Sequence, residues 1–175
     1  MRRRLAFLFP LLLLGSAPSL AHGPTPQSVE TAIVIAAPPD AVWAVLAKFG
    51  GIGDWHPLVK KVAATGGDAA GAERELTLEK GAVTEGLDET DPVERRLSYR
   101  LLKENAEAIP VSFYTQTIEI KPEGSGSEVA WSARFYRADT TNEPPEDRND
   151  EAAIAAMTDF ITQGLEGLKA KATAK

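Results

Sequence analysis

Apolar residues recur along this chain at two spacings, and each spacing predicts a different kind of element. Between 29 and 36 they occupy every second position, a period that is typical of a strand. From Val42 to Phe49 the spacing changes to i, i+3, i+4 and i+7, which predicts a helix with one apolar face. Pro38-Pro39-Asp40 marks its start, Gly50-Gly51 is expected to close it, and a short helical turn over 52–58 follows.

Six further strand-length segments come next, separated by turn residues such as Gly-Gly, Asp-Pro and Gly-Ser-Gly. The predicted strands are 59–64, 73–80, 82–90, 95–103, 111–121 and 127–137. Residues 138–150 lack apolar periodicity and predict a loop. A final apolar stripe from Ile154 to Leu168 predicts a long helix that reaches about Ala172, with Asp150-Glu151 as its N-cap.

This order of elements predicts the fold class. One strand, two short helices, six strands and one long C-terminal helix indicate an α+β fold, in which the helices cover one face of an antiparallel sheet. A curved sheet wrapped around the long helix would leave a space between the two. Gly164 and Gly167 lie in that helix, where they indicate either close packing or room for a ligand.

The first 21 residues have the pattern of a signal peptide. Arg2 to Arg4 precede the apolar run 5–14, and Ser19-Leu20-Ala21 offers the small residues of a cleavage site. The apolar run is about half of the roughly 20 residues that a spanning helix needs. We therefore expect export to the periplasm and a soluble, monomeric mature protein without a membrane segment. It would consist of an extended arm, 22–28, and a single domain, 29–172.

Composition and charge narrow the possible functions. The chain has no cysteine, which excludes disulfides, thiolate metal sites and a cysteine nucleophile, and its two histidines argue against a multi-histidine metal site. Without residues 1–21 the chain carries 16 Lys+Arg against 25 Asp+Glu, a net charge of −9. Such a charge argues against nucleic acid and anionic membranes as partners. It favours a cationic partner or serves solubility alone.

The inward-facing positions of the predicted strands and the last helix define a candidate cavity, with Trp55-His56 in the turn at its mouth. Its predicted lining consists of Trp55, His56, Glu85, Tyr99, Tyr114, Gln116, Trp131, Phe135, Met157, Phe160 and Ile161. Glu85 is the most informative member, because apolar surroundings would favour its protonated form and make it a possible general acid or base. The alternatives are that Glu85 pairs with an arginine or lies at the wet rim, and that the aromatic residues are ordinary core.

The predicted loop before the last helix is strongly acidic. Residues 139–151 carry a net charge of −5, more than half of the charge of the mature chain. Asp139, Glu143, Glu146 and Asp147 are therefore candidates for docking a basic partner surface, which would act mainly through the association rate. The alternative is a solvated loop without a partner.

Several segments resemble one known superfamily. They are APPDAVWAVLAKFGGIGDWHPLV within 36–59, GAVTEGLDETDPVERRLSYRL (81–101), IPVSFYTQTIEIKP (109–122) and EVAWSARFYR (128–137). These segments resemble the SRPBCC superfamily, the START-like or Bet v 1-like helix-grip proteins, in its polyketide cyclase/dehydrase-like branch. The resemblance implies a curved antiparallel sheet of about seven strands around the C-terminal helix. It also implies a cavity for an apolar or amphipathic small molecule, without an obligatory cofactor.

The arm 22–27 and the tract 141–153, together with the export signal, resemble exported accessory proteins of methanol oxidation. That resemblance implies a non-catalytic protein that supports electron transfer from a quinoprotein dehydrogenase to a c-type cytochrome. Two alternatives stay open. One is a polyketide cyclase or dehydratase with Glu85 as base and Tyr99 or Tyr114 as proton donor. The other is a carrier of lipids or hydroxylated aromatics with no protein partner.

Overall fold

A computed structural model describes residues 24–174. The predicted signal peptide, residues 1–21, and the first two residues of the predicted arm lie outside this range. Within 24–174, no helix is long and apolar enough to cross a bilayer.

Seven strands and two α-helices make up the fold, with two short 3-10 helices between them. The elements are β1 (Gln27–Ile35), α1 (Pro39–Leu46), a 3-10 helix (Phe49–Asp54), β2 (Lys61–Thr65), β3 (Glu73–Leu78), β4 (Gly81–Asp91), β5 (Arg96–Lys103), β6 (Val111–Glu123), β7 (Gly126–Arg137), a second 3-10 helix (Glu146–Arg148) and α2 (Asp150–Thr173).

The strands form one antiparallel sheet in the order β1-β7-β6-β5-β4-β3-β2. The helix α2 packs mainly against β1 and β7, and α1 packs against α2. The predicted α+β helix-grip fold, a curved sheet around a long C-terminal helix, is confirmed. Register shifts in the β4–β5 and β6–β7 pairings interrupt the regular ladder.

Alternation along the long strands decides which side chains face α2. In β7, Val129, Trp131 and Ala133 are buried, as the period of two predicts. In β6 the alternation is interrupted at Phe113, which lies in a bulge with φ of 50° and is 74% exposed. The bulge returns Tyr114 to the buried face, so Val111 and Tyr114 both point inward although their spacing is three.

Two predicted helix ends were wrong. The helix α1 ends at Leu46 rather than at Gly50-Gly51, because the chain turns into a 3-10 helix that buries Phe49 and Ile52. The N-cap of α2 is Asn149 rather than Asp150-Glu151. The Asn149 side chain accepts a hydrogen bond from the Ala152 N–H at 2.8 Å. Asp150 is already helical, and its carboxylate accepts from Arg137 at 2.8 Å.

The turn formed by residues 55–57 lies directly against α2 at its two glycines. A Cβ on Gly164 would stand 2.6 Å from Trp131 Cζ3 and 2.8 Å from His56 Nε2. A Cβ on Gly167 would overlap the carbonyl oxygen of Trp55. The two glycines therefore permit close packing between the turn and α2.

We expect Gly167→Ala to destabilise the protein by about 2 kcal/mol, because overpacking against a backbone carbonyl outweighs the gain in helix propensity. Urea denaturation measures the change. Thr162→Ala, at an exposed position of the same helix, should leave the protein as stable as the parent or slightly more stable, because alanine has the higher helix propensity. A Gly167→Ala protein as stable as the parent would contradict this packing.

Candidate ligand-binding site

A buried ion pair crosses the inner face of the sheet. Arg74 of β3 donates from Nε to Glu85 Oε2 at 2.6 Å, and the two side chains are 2% and 0% exposed. Arg74 Nη1 donates to the Phe49 carbonyl at 2.7 Å, and Tyr114 OH donates to Glu85 Oε1 at 2.6 Å. Both carboxylate oxygens therefore accept a strong hydrogen bond, which offsets the cost of burying the charges.

A second polar chain begins at Tyr99. The guanidinium carbon of Arg74 lies 4.6 Å from the Tyr99 ring centroid, and Tyr99 OH donates to Gln116 Oε1 at 3.2 Å. The same oxygen accepts from Trp131 Nε1 at 2.7 Å. Burial raises the pKa of Tyr99 and of Tyr114, and the Glu85 carboxylate raises both further. Both phenols therefore stay protonated at neutral pH.

His56 closes the interior from the side of α2. Its ring packs on Phe160 with centroids 4.1 Å apart, and it meets the edge of Trp131 at 6.1 Å. His56 Nδ1 accepts from the Leu58 N–H at 3.3 Å. Burial lowers the pKa of His56 to about 4, and the Phe160 carbonyl opposes this effect only in part. His56 is therefore neutral at physiological pH.

A pocket of about 430 Å³ opens beside this aromatic layer. It lies between α2, the β3–β4 turn, the β5–β6 loop and the start of β2. We call it the mouth pocket; its walls are Leu58, Lys60, Leu78, Glu79, Lys80, Glu107, Ala108, Ile109, Pro110, Ala156, Asp159 and Phe160. The inner walls are apolar and the charged residues form the rim. Its volume falls in the range of about 300–1,000 Å³ that is usual for small-molecule sites.

All eleven side chains proposed from the sequence as cavity lining are buried. Hydrogen bonds join Glu85 to Tyr114, and Tyr99 and Trp131 to Gln116. Trp55, His56, Trp131 and Phe160 form the aromatic layer. Phe135, Met157 and Ile161 belong to the same apolar core. Of the eleven, Phe160 also lines the mouth pocket.

Sequence reasoning did not identify Arg74 or most of the mouth pocket. A signal for Arg74 was present, because it occupies an inward position of β3 together with Leu76 and Leu78. The pocket walls gave no such signal, since they come from separate turns and loops. For Glu85, the alternative of pairing with an arginine is the arrangement that the structure has.

The acidic segment, residues 139–151, is held in a defined conformation by Arg137. This arginine donates to the carbonyls of Asp139 and Thr141 and to the Asp150 carboxylate, at 2.7–2.8 Å. Hydrogen bonds from Thr141 lower the pKa of Asp139, which keeps that carboxyl ionised.

Three other carboxylates of the segment, Glu143, Glu146 and Asp147, are exposed. Arg148 forms an ion pair with Glu107, which connects the acidic segment to the wall of the mouth pocket. Among residues 24–174, no three His, Asp or Glu side chains are grouped as metal ligands would be.

A comparison of the sequence with models of known protein families finds one match. The model of the family described as polyketide cyclase / dehydrase and lipid transport matches residues 26–173. The chain belongs to this family. Among curated proteins, none matches the sequence of this chain significantly.

Solved structures of similar fold agree with the assignment of this chain to the family. XoxI from Bacillus cereus is 26% identical with a TM-score of 0.67, over 82% of this chain and 94% of that one. A protein from Bacillus thuringiensis is 25% identical with a TM-score of 0.68, over 85% and 100%. The Zhui aromatase/cyclase from Streptomyces sp. R1128 is 21% identical with a TM-score of 0.65, over 85% and 94%, and shares the fold.

Because the pKa of His56 drops from 6.5 to about 4 on folding, the unfolded chain binds a proton in this pH window and the folded protein does not. Stability should therefore fall as pH decreases from 6.5 to 4, by about 3 kcal/mol from this residue at 1.4 kcal/mol per pKa unit. Urea denaturation across this window, compared with His56→Gln, isolates the contribution. Parallel stability curves for the two proteins would contradict it.

Proposed function

We propose that this family member binds one small apolar molecule between the curved sheet and α2, through the mouth pocket, and carries out no chemistry on it. The observation that carries the proposal is the mouth pocket itself. Its inner walls are built from apolar side chains such as Leu78, Ile109 and Phe160, and charged groups surround its rim. Removing apolar surface from water at such walls stabilises a bound ligand by about 25 cal/mol per Å².

The polar groups behind the pocket support binding rather than catalysis. A general base must lie within hydrogen-bond reach of the substrate, but Glu85 is fully buried and already accepts hydrogen bonds from Arg74 and Tyr114. The two candidate proton donors of the cyclase alternative already donate within the interior, Tyr99 to Gln116 and Tyr114 to Glu85. The cyclase alternative, with Glu85 as base, would require the substrate to reach a side chain that is fully buried and does not line the mouth pocket.

We further propose an exported accessory role of the MxaD type, in which the protein supports transfer of electrons from a quinoprotein methanol dehydrogenase to its c-type cytochrome in the periplasm. The signal-peptide pattern of residues 1–21 and the acidic segment support this role. The exposed carboxylates Glu143, Glu146 and Asp147 project from a segment that Arg137 holds in place. A fixed array of negative charge increases the association rate with a basic protein surface.

Filling the mouth pocket tests the binding proposal. Ala156→Trp places an indole among the pocket walls and should weaken binding of the fluorescent apolar probe N-phenyl-1-naphthylamine at least tenfold. Ala155→Trp is the matched control, because the neighbouring position is exposed and does not line the pocket. Fluorescence titration measures both affinities. Equal binding by the two variants would place the probe elsewhere and contradict the proposed site.

Charge removal tests the accessory role. Neutralising Glu143, Glu146 and Asp147 as Gln, Gln and Asn should lower the stimulation of cytochrome c reduction by methanol dehydrogenase at least threefold at low salt. At about 0.5 M salt the difference from the parent should vanish, because the Debye length is then only a few ångströms. Stopped-flow absorbance of the cytochrome measures the rate.

A control variant neutralises three exposed carboxylates elsewhere on the protein, Glu30, Glu75 and Glu123, and should keep the full stimulation. The same loss in both triple variants would indicate an effect of net charge alone. A parent protein without effect on the rate, at low and at high salt, would end the methanol-oxidation proposal while leaving ligand binding untouched.

A further inference from the structure

One phenylalanine of this protein lies on the surface. Phe113 is 74% exposed, whereas Phe49, Phe135 and Phe160, the other phenylalanines within residues 24–174, are at most 3% exposed. The backbone φ of Phe113 is 50°, in the left-handed region that a bulky side chain rarely adopts. The residue is therefore unfavourable for the fold in two ways, because its ring is in water and its backbone is strained. Such an outlier indicates a role in binding.

The bulge in β6 produces this exposure. The β6–β7 register shifts between Ser112 and Thr115, which inserts Phe113 as an extra residue. Its two neighbours, Ser112 and Tyr114, are buried. The Phe113 ring therefore projects from a fixed base on the outer face of the sheet, the face that points away from α2. Bulges of this kind re-aim single side chains next to functional sites.

Phe113 forms one wall of a small groove on this face. We call it the outer groove; it is lined by Pro26, Phe113, Thr115, Arg134, Phe135 and Tyr136. Aromatic residues and arginine are enriched at the centre of protein–protein interfaces, where Lys, Asp and Glu are depleted. The lining has this composition. Its volume of about 170 Å³ lies below the range of about 300–1,000 Å³ that is usual for small-molecule sites, so the groove suits the side chains of a protein partner.

The acidic segment, residues 139–151, begins at the same end of the sheet. Ser112 Oγ donates to the Arg137 carbonyl at 3.0 Å. Arg137 in turn donates to the carbonyls of Asp139 and Thr141. Hydrogen bonds therefore lead from the residue before Phe113 to the first residues of the acidic segment. The apolar groove and the carboxylates together have the arrangement of an interface centre with a charged border.

We propose that Phe113 is the apolar anchor of a protein-docking surface that consists of the outer groove and the acidic segment. The partner that fits is a protein with a recess for an aromatic ring, bordered by Lys and Arg side chains that meet Glu143, Glu146 and Asp147. The net charge of −5 in the acidic segment is the reason for a basic partner. A second copy of this chain would bring the same negative charge to the border. This inference rests on the proposed accessory role and names the contact residue for its partner.

The two parts of the surface act on different rate constants. Exposed charges increase the association rate, and salt screens their effect. A ring that is buried in the complex acts mainly on the dissociation rate, and its contact with apolar groups is not screened. Kinetic measurements at two salt concentrations therefore distinguish the anchor from the charged border.

Phe113→Asn tests the anchor, because it removes the ring while asparagine tolerates positive φ. Biolayer interferometry uses immobilised methanol dehydrogenase and, separately, its c-type cytochrome. On the protein that binds the parent, this variant should dissociate at least tenfold faster, with an association rate within twofold of the parent rate. The same ratio of dissociation rates should persist when the dissociation phase is run at about 0.5 M salt. The melting temperature of the variant should equal or exceed that of the parent, because the backbone strain is released.

Two further variants are the controls. Phe113→Tyr keeps an aromatic ring and should dissociate at a rate within about threefold of the parent rate. Val93→Asn removes an apolar side chain that is 79% exposed in the β4–β5 turn, at the opposite end of the sheet. It should leave both rate constants unchanged.

The outcomes separate this inference from the function on which it rests. A dissociation rate of Phe113→Asn within twofold of the parent rate, or an equal increase in Val93→Asn, would overturn the anchor while leaving the accessory role intact. A parent protein that binds neither the dehydrogenase nor the cytochrome would overturn the accessory role and this inference with it. A dimer of the parent in sedimentation velocity that Phe113→Asn dissociates would identify a second copy as the occupant and overturn the proposed partner.

Discussion

The buried ion pair between Arg74 and Glu85 is the interaction on which the interior of this protein depends. It joins β3 to β4, and through Phe49 and Tyr114 it also engages the first 3-10 helix and β6. Two buried charges are tolerable here because each has hydrogen-bond partners besides the other. The arrangement uses both oxygens of the carboxylate, so Glu85 connects β3, β4 and β6 on the inner face of the sheet.

The packing of the turn, residues 55–57, against α2 closes the interior on one side. Gly164 and Gly167 let Trp55 and His56 approach the helix so closely that the aromatic layer covers the polar groups of the sheet. The mouth pocket lies beside this layer at Phe160, and its wall includes Glu107. That residue is paired with Arg148 of the acidic segment, which places the proposed docking surface beside the proposed ligand site.

Local patterns predicted the fold well because strand alternation and the helical stripe reflect a single buried face. Trp131 and Gln116 were assigned inward by their period of two, and both are buried. The sequence did not predict the partner of Glu85, since pairing across β3 and β4 depends on register. Local sequence patterns could not predict the mouth pocket, because its walls come from segments that are distant in sequence. The residue pattern of β6 does not indicate the bulge at Phe113.

Nuclear magnetic resonance shows directly whether a small apolar molecule binds in the mouth pocket. In a titration of the ¹⁵N-labelled mature protein with N-phenyl-1-naphthylamine, we expect the largest shifts at the amides of Ala108, Ile109 and Phe160, which line the pocket, and at the indole N–H of Trp131, which packs against Phe160. Shifts confined to the outer face around Phe113, or no shifts at millimolar probe, would contradict it.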